Sequence, residues 1–219
     1  MSTQMDTTRP QILLLSLDRQ PFFDDMYKRL INTLVSKATI QRASKLNAAL
    51  NYLSTTTPTR IIITDPGITQ PAHSAVLEKV VSYVRDGGIA ILAFHFSGSI
   101  RPLDLNSFFR SYWNLPWEFG DYHRTTVHLN QRVPQVPKLN LPAAYSQKAV
   151  FLKNVAPNAA LYLPDRNSMT ESHVFPSEPV DVEQTPVAFA PVGEGWLGYV
   201  GDVNTEEGSD AVILAMCGL

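Results

Sequence analysis

The chain is poor in cysteine: Cys217 is the single thiol among 219 residues. One thiol cannot build an intrachain disulfide framework, so the expected setting is a reducing compartment, the cytoplasm. Neither sign of charge is in excess, since 18 Lys and Arg face 20 Asp and Glu for a formal net charge of -2. The basic residues are scattered, and without a basic stripe nucleic acid is not an expected partner. Long apolar runs are missing too. The first, Ile12 to Leu17, ends at Asp18, too short for a signal-peptide core or a membrane span, so no membrane partner is expected. No Walker sequence occurs, and the one Gly-x-Gly-x-x-Gly spacing, Gly193 to Gly198, falls at an expected hairpin turn and not ahead of a helix, which leaves no nucleotide cofactor assigned.

What is present is globular composition, 44% hydrophobic and 17% charged. The expected organisation is a loose tail over residues 1–9 and one domain over 10–219. Ile12 to Leu17 reads as a strand buried on both faces. Phe22, Phe23, Met26, Tyr27, Leu30, Ile31 and Leu34 follow at helical spacing. A short segment over Ala38 to Arg42 precedes a second helix, with Ser44 placed to cap it. Arg60 to Thr64 holds three isoleucines and stops at Asp65-Pro66-Gly67, a strand and its turn. A helical stripe from Pro71 to Val84 ends at Gly87-Gly88, and Ile89 to Phe94 is the next strand. Strands alternating with helices predict βαβ units. The later chain is punctuated by proline, and short strands are expected near Thr125 to Leu129, Ala149 to Leu152, Ala160 to Leu163, Val187 to Pro191 and Trp196 to Val200. The last two are joined at Gly193 to Gly195, and a final helix spans about 209–216. The fold class read from this pattern is α/β: a flavodoxin-like doubly wound, mainly parallel sheet with helices on both faces and an antiparallel hairpin at one edge.

Such sheets bind ligands beyond the carboxyl ends of their strands. The polar residues there are Asp18 after the first strand, Asp65 after the isoleucine run, His95, Ser97, Gly98 and Ser99 after Phe94, and Asp202 and Asn204 after the last strand. Each has a bland reading beside the functional one. Asp18 and Asp65 suit capping of backbone amides. Ser97 lacks the first glycine of Gly-x-Ser-x-Gly, so a loop hydroxyl outranks a nucleophile. His95 stands evenly between a structural histidine and a pocket residue. Trp113, Trp117, Phe119, Tyr122 and His123 form an aromatic cluster that reads as core, as a flat-ligand pocket, or as a homodimer contact.

The run VSYVRDGGIAILAFHFSGS, Val81 to Ser99, combines an amphipathic helix, Gly-Gly, a buried strand and a functional turn. It resembles the class I glutamine amidotransferase-like superfamily, in particular its ThuA-like (trehalose-utilisation) branch. GEGWLGYVGDVN, Gly193 to Asn204, resembles the closing hairpin of the same proteins. The resemblance spans nearly the whole domain and implies a site at the turn after Phe94. The amidotransferases place a nucleophilic cysteine in that turn, where this chain has His95. They place His-x-Glu after the last strand, where this chain has Asp202 and Asn204. The Cys-His-Glu triad is therefore absent, and glutamine hydrolysis through a thioester is not expected. The ThuA-like branch carries a histidine after Gly-Gly, which His95 matches, and a closing Gly-His, which is Gly201-Asp202 here.

The resulting expectation is a pocket for a small polar metabolite, with His95 as acid or base, Asp202 orienting it and Ser97 as a further catalytic candidate. Asp18, Asp65, Gly98, Ser99, His123 and Asn204 are the candidate ligand contacts. Any reaction would be that of a hydrolase or isomerase and not of a glutaminase. A divalent metal on His95, Asp202 and His123 is the weakest reading, because no ligand-spacing motif supports it. The alternative from another class is a catalytically dead scaffold, a pseudoenzyme or homodimer, with the aromatic 113–123 segment as contact surface.

Overall fold

The computed structural model describes residues 9–133, 136, 140–172 and 174–219. The expected tail lies outside these residues except for Arg9, whose guanidinium donates to the Val35 and Ser36 carbonyls.

The first half of the chain folds as its pattern predicts. Strand β1 (Gln11–Leu15) is followed by helices α1 (Phe23–Met26) and α2 (Lys28–Lys37), strand β2 (Thr39–Ala43), helix α3 (Leu46–Thr55) and strand β3 (Arg60–Ile63). Helix α4 (Ser74–Arg85) starts after two 3-10 turns over residues 66–73, and Gly87, at φ 105°, ends it in the left-handed region open to glycine. Strand β4 (Ile89–Leu92) then leads into short helices α5 (Phe96–Ser99) and α6 (Pro102–Phe108). Ser44 is not the cap of α3. That position falls to Lys45, with no side-chain bond.

The four strands run parallel in the order β2-β1-β3-β4. Their side chains alternate between two cores. Ile12, Leu14, Ile62 and Ile91 pack with Leu30 and Leu34 of α2, and Leu13, Leu15, Ile61 and Ile63 pack with Val76, Val80 and Val84 of α4. Helices therefore cover both faces, which is why these strands read as unbroken apolar runs. Each fully buried Ile or Leu contributes about 1.5–3 kcal/mol through removal from water.

The second half departs from expectation. Strands β5 (Glu118–Leu129) and β6 (Ala144–Lys153) are long rather than short, and β7 (Ala160–Leu163), β8 (Val187–Val192) and β9 (Gly195–Val200) complete a nine-stranded sheet before helix α7 (Glu207–Cys217). Strand β9 pairs parallel with β4, and from β9 through β8, β7, β5 and β6 every pairing is antiparallel. The β8–β9 hairpin forms as expected, but it stands in the middle of the sheet and not at its edge. It reverses the direction of half a mixed sheet. A bulge between Phe119 and Tyr122 bends β5. Strand β6 then turns back: Val150 N donates to Gly201 O at 2.9 Å, Val203 N to Lys148 O at 3.0 Å, and Leu152 and Thr185 exchange backbone bonds. The antiparallel half closes on the chain just after β9.

The aromatic cluster is mostly core. Trp113 and Trp117 are each 2% exposed, and Phe109 meets Trp117 edge to face at 5.0 Å. These rings cannot form the contact surface assigned to them, because they fill the space between α6 and the sheet. Tyr122 alone of the cluster is largely exposed, under the Lys148 ammonium.

Candidate functional site

The carboxyl ends of β1, β3 and β4 form one rim. Asp65 follows β3 and is almost fully buried; its Oδ1 accepts from Asp18 N and from Gly67 N, both at 2.9 Å. Beneath it Ser16 and Thr64 share a buried hydroxyl hydrogen bond of 2.6 Å. Burial holds the Asp65 carboxyl above the usual carboxylate range, against the two amide bonds that pull it down. Asp65 thus ties the loop after β1 to the loop after β3 while keeping a carboxyl group inside the rim. The Asp18 side chain itself is exposed.

The turn after β4 has an unusual backbone. Phe94 takes φ 60°, a left-handed conformation costly for a bulky residue. The elbow residue is therefore Phe94 and not His95, which stands one place later as the N-cap of α5. The Phe94 ring is packed inward against Phe23 and Tyr27, so the elbow position carries no chemistry. His95 N donates to Thr64 O at 2.9 Å, which fixes the residue beside β3. Its ring meets Phe22 edge to face at 5.3 Å, and among the described residues no protein group hydrogen-bonds either ring nitrogen. Burial pushes the His95 imidazole below its ordinary value, and the Asp65 and Asp18 carboxylates pull back up. The neutral form is favoured at neutral pH.

Ser97 and Asp202 lie elsewhere. Ser97 is buried, with Oγ 3.4 Å from the Asp202 carbonyl. Asp202 is buried as well: Oδ1 accepts from Asn204 N at 2.6 Å and Oδ2 from Glu206 N at 2.8 Å, which fixes the loop leading into α7. Burial raises its carboxyl above the usual range. The cause of this enclosure is β6, which bridges to Asp202 through Ala149 and lays Val150 O against the Tyr199 hydroxyl at 3.0 Å. The antiparallel half covers the β4–β9 end of the rim, while Asp18 and Phe22 beside the β1–β3 end are exposed. The carboxylates acting on His95 are accordingly Asp65 and Asp18. Gly98, Ser99 and Asn204 are exposed at the margin, and His123 stacks on Phe151 at 4.4 Å, within β5 and apart from the rim. Among the described residues no three His, Cys, Asp or Glu side chains gather into a group that could hold a metal ion.

Phe22 and the Ser16–Thr64 pair were not legible as site residues. Phe22 reads as part of a helical core stripe, yet it is 48% exposed and lies over His95. Cys217 is remote from the rim. It is buried beside Arg60, the first residue of β3, and burial pushes its thiol up to about 12.

No family model matches the chain, and no curated protein matches it by sequence. Solved structures do. A ThuA-like protein from Bacteroides uniformis aligns with a TM-score of 0.55 and 13% identity over 99% of this chain and 93% of its own. A cytoplasmic protein from Salmonella typhimurium LT2 aligns at 0.57 and 11% identity over 95% and 98%. A β-galactosidase from Rahnella sp. R3 aligns at 0.54 and 14% identity, over 95% of this chain but 31% of the enzyme. The chain has the fold of the ThuA-like proteins, and at these identities the likeness is one of fold. No described helix is long and apolar enough to cross a membrane.

Proposed function

We propose that residues 10–219 form one amidotransferase-like domain that binds a small polar metabolite at the open β1–β3 end of the rim, with His95 as its acid or base. The order β2-β1-β3-β4 with helices on both faces is read here as the flavodoxin-like doubly wound arrangement, whose topological switch lies between β1 and β3, where such sheets take ligands. The observation that carries the reading is the His95 ring: half-buried, favoured as neutral, free of protein hydrogen bonds and set beside Asp18 and Asp65. A neutral imidazole beside carboxylates can take a proton from a bound substrate and return it, which suits a hydrolase or isomerase. Asp65 positions the two loops, Asp18, Phe22, Gly98 and Ser99 border the ligand, and Ser97, Asp202 and Asn204 serve the covered end. With Phe94 at the elbow and Cys217 buried far away, the chain is not read as a glutaminase. No metal or organic cofactor is assigned, and the single buried thiol suits the cytoplasm.

The test is thermal unfolding of the wild type and His95→Ala against panels of sugars, amino acids, small amides and divalent ions. A ligand at a hundredfold excess over its dissociation constant adds about 2.7 kcal/mol. The expected result is a compound class that raises the wild-type midpoint and leaves His95→Ala unmoved. A shift equal in both proteins, or none with any compound, overturns the reading.

One observation favours the scaffold alternative. Val174 and Phe175 are 80% and 74% exposed, in the loop that the Met169–Pro179 bridge closes. If a second copy of this chain docks there, Phe175→Ser lowers the sedimenting mass while His95→Ala does not.

A further inference from the structure

Gln147 on β6 is 0% exposed, and neither its amide oxygen nor its amide nitrogen has a hydrogen-bond partner. His123 on β5 has a buried Nε2 in the same state. The register sets Thr125 opposite Gln147 and His123 opposite Ala149. The two side chains are thus diagonal neighbours on one face of the ladder, about 7–8 Å apart at their backbones. That face is the interior of the antiparallel half, shared with Val127, Ala149 and Phe151 of one core cluster.

The polar groups continue from there. Tyr145 is on the same face, and the Gln147 amide acts on its hydroxyl without forming a full hydrogen bond to it. Its oxygen lies 3.5 Å from Ser209 Oγ, at the long limit of a hydrogen bond, and the Ser209 hydroxyl in turn favours the charged form of Asp202. Asp202, Ser209, Tyr145, Gln147 and His123 form a line of polar groups through apolar surroundings, joined loosely or not at all. A carboxamide desolvated at both ends is costly when nothing replaces its water, and buried polar groups that lack a protein partner characteristically hold an ordered one.

We propose that the interior of the antiparallel half is a solvent site, in which an ordered water bridges the Gln147 carboxamide and His123 Nε2. Ala149 is the small residue between His123 and Asp202 in the row across the three strands. The ligand class is narrow. The Gln147 carboxamide offers both a donor and an acceptor and carries no charge, which suits water and not an ion.

The test is a crystal structure of the whole chain at a resolution that shows ordered solvent, with water-proton relaxation dispersion in solution to detect long-lived internal water. The expected result is a density peak within hydrogen-bond distance of the Gln147 amide and His123 Nε2, with a dispersion that Gln147→Met reduces. A Gln147 amide turned onto a protein group with no peak beside it overturns the proposal, as does a bound molecule larger than water or a dispersion unchanged in Gln147→Met. Should that variant fail to fold, His123→Phe keeps the stack on Phe151 and removes Nε2. The peak must then shift or vanish, and an unmoved peak also overturns the proposal.

Discussion

The parallel and antiparallel halves of this sheet solve burial differently. Strands β1, β3 and β4 send aliphatic side chains to both faces and keep polar groups for the loops beyond their ends. Strands β5 and β6 carry Thr125, Gln147 and His123 among their inward-facing residues. The first arrangement makes a rigid base with a free rim; the second makes a cover with a polar interior, held partly by its closure onto the end of β9. The difference teaches where the site can be. A rim covered at β4–β9 buries Ser97 and leaves His95 half-buried, and the proposed function accordingly takes its ligand at His95.

The strongest challenge to this comparison is whether the halves are thermodynamically separate. Phe151→Ala in the antiparallel interior should cost about 3–5 kcal/mol and Ile62→Ala in the parallel core about 2–5 kcal/mol, both through cavities in fully buried sites. Denaturant unfolding followed by fluorescence and by circular dichroism should give one coincident transition in each variant. Two transitions in Phe151→Ala alone would show that the cover melts by itself.

Next in size is the closure. A β-carbon on Gly201 would fall 2.1 Å from Val150 O, a backbone atom that cannot swing away. Gly201→Ala should therefore force β6 off the end of β9 and cost about 1–3 kcal/mol, by analogy with overpacked cores. Faster amide exchange at Val150 and Val203 than at β3 would locate the loss at the seam. Uniform exchange would mean that the halves move together.

The parallel half was legible because strands buried on both faces leave an unmistakable apolar run, and Gly87-Gly88 marks a helix end in the sequence itself. The antiparallel half was not. Strand β5 begins Glu118-Phe119-Gly120-Asp121, which reads as a turn, and a bulge makes it a strand. Gln147 interrupts the apolar pattern of β6, so only Ala149 to Leu152 stood out. The closure onto Gly201 is a long-range contact with no local signature. It buries Ser97 and Asp202, and so the sequence located the loops at the strand ends without showing which were covered. His95 was legible by position; that the elbow residue is Phe94 depends on a backbone angle, and the exposure of Phe22 depends on where α1 begins.

A smaller effect separates the two buried carboxyls from the rest. An Asp held above its ordinary pKa in the folded state, as Asp65 is by burial, binds protons better folded than unfolded. Stability from this group is greatest below the unfolded value. It falls as pH rises from there through the folded value, and is flat above. Asp65→Asn keeps an oxygen for the Asp18 and Gly67 amides, so the wild type should lose stability relative to the variant across that window. Unfolding free energies measured against pH check this. The same substitution removes one carboxylate from beside His95, whose imidazole should titrate lower still by NMR. An unmoved His95 would dissociate the two residues and weaken the proposed site.

The smallest effects concern the loop between β9 and α7, which an arginine from each half grips. Arg29 on α2 donates to Asp210 at 2.6 Å and to the Thr205 carbonyl, while Arg124 on β5 pairs with Glu206. Thr205 has φ 59°, unfavourable for a β-branched residue, so the loop conformation needs support. Both arginines are partly exposed, and each replaced by Gln should cost less than about 1 kcal/mol. The informative quantity is their coupling. If the loop is one element held from both sides, releasing either end lets it relax and the second removal costs less, so the double variant should fall short of the sum by about 0.5 kcal/mol. Strict additivity in a denaturation cycle would instead mean that each half anchors its own part of the loop, and the seam between the two halves would lie within residues 202–206.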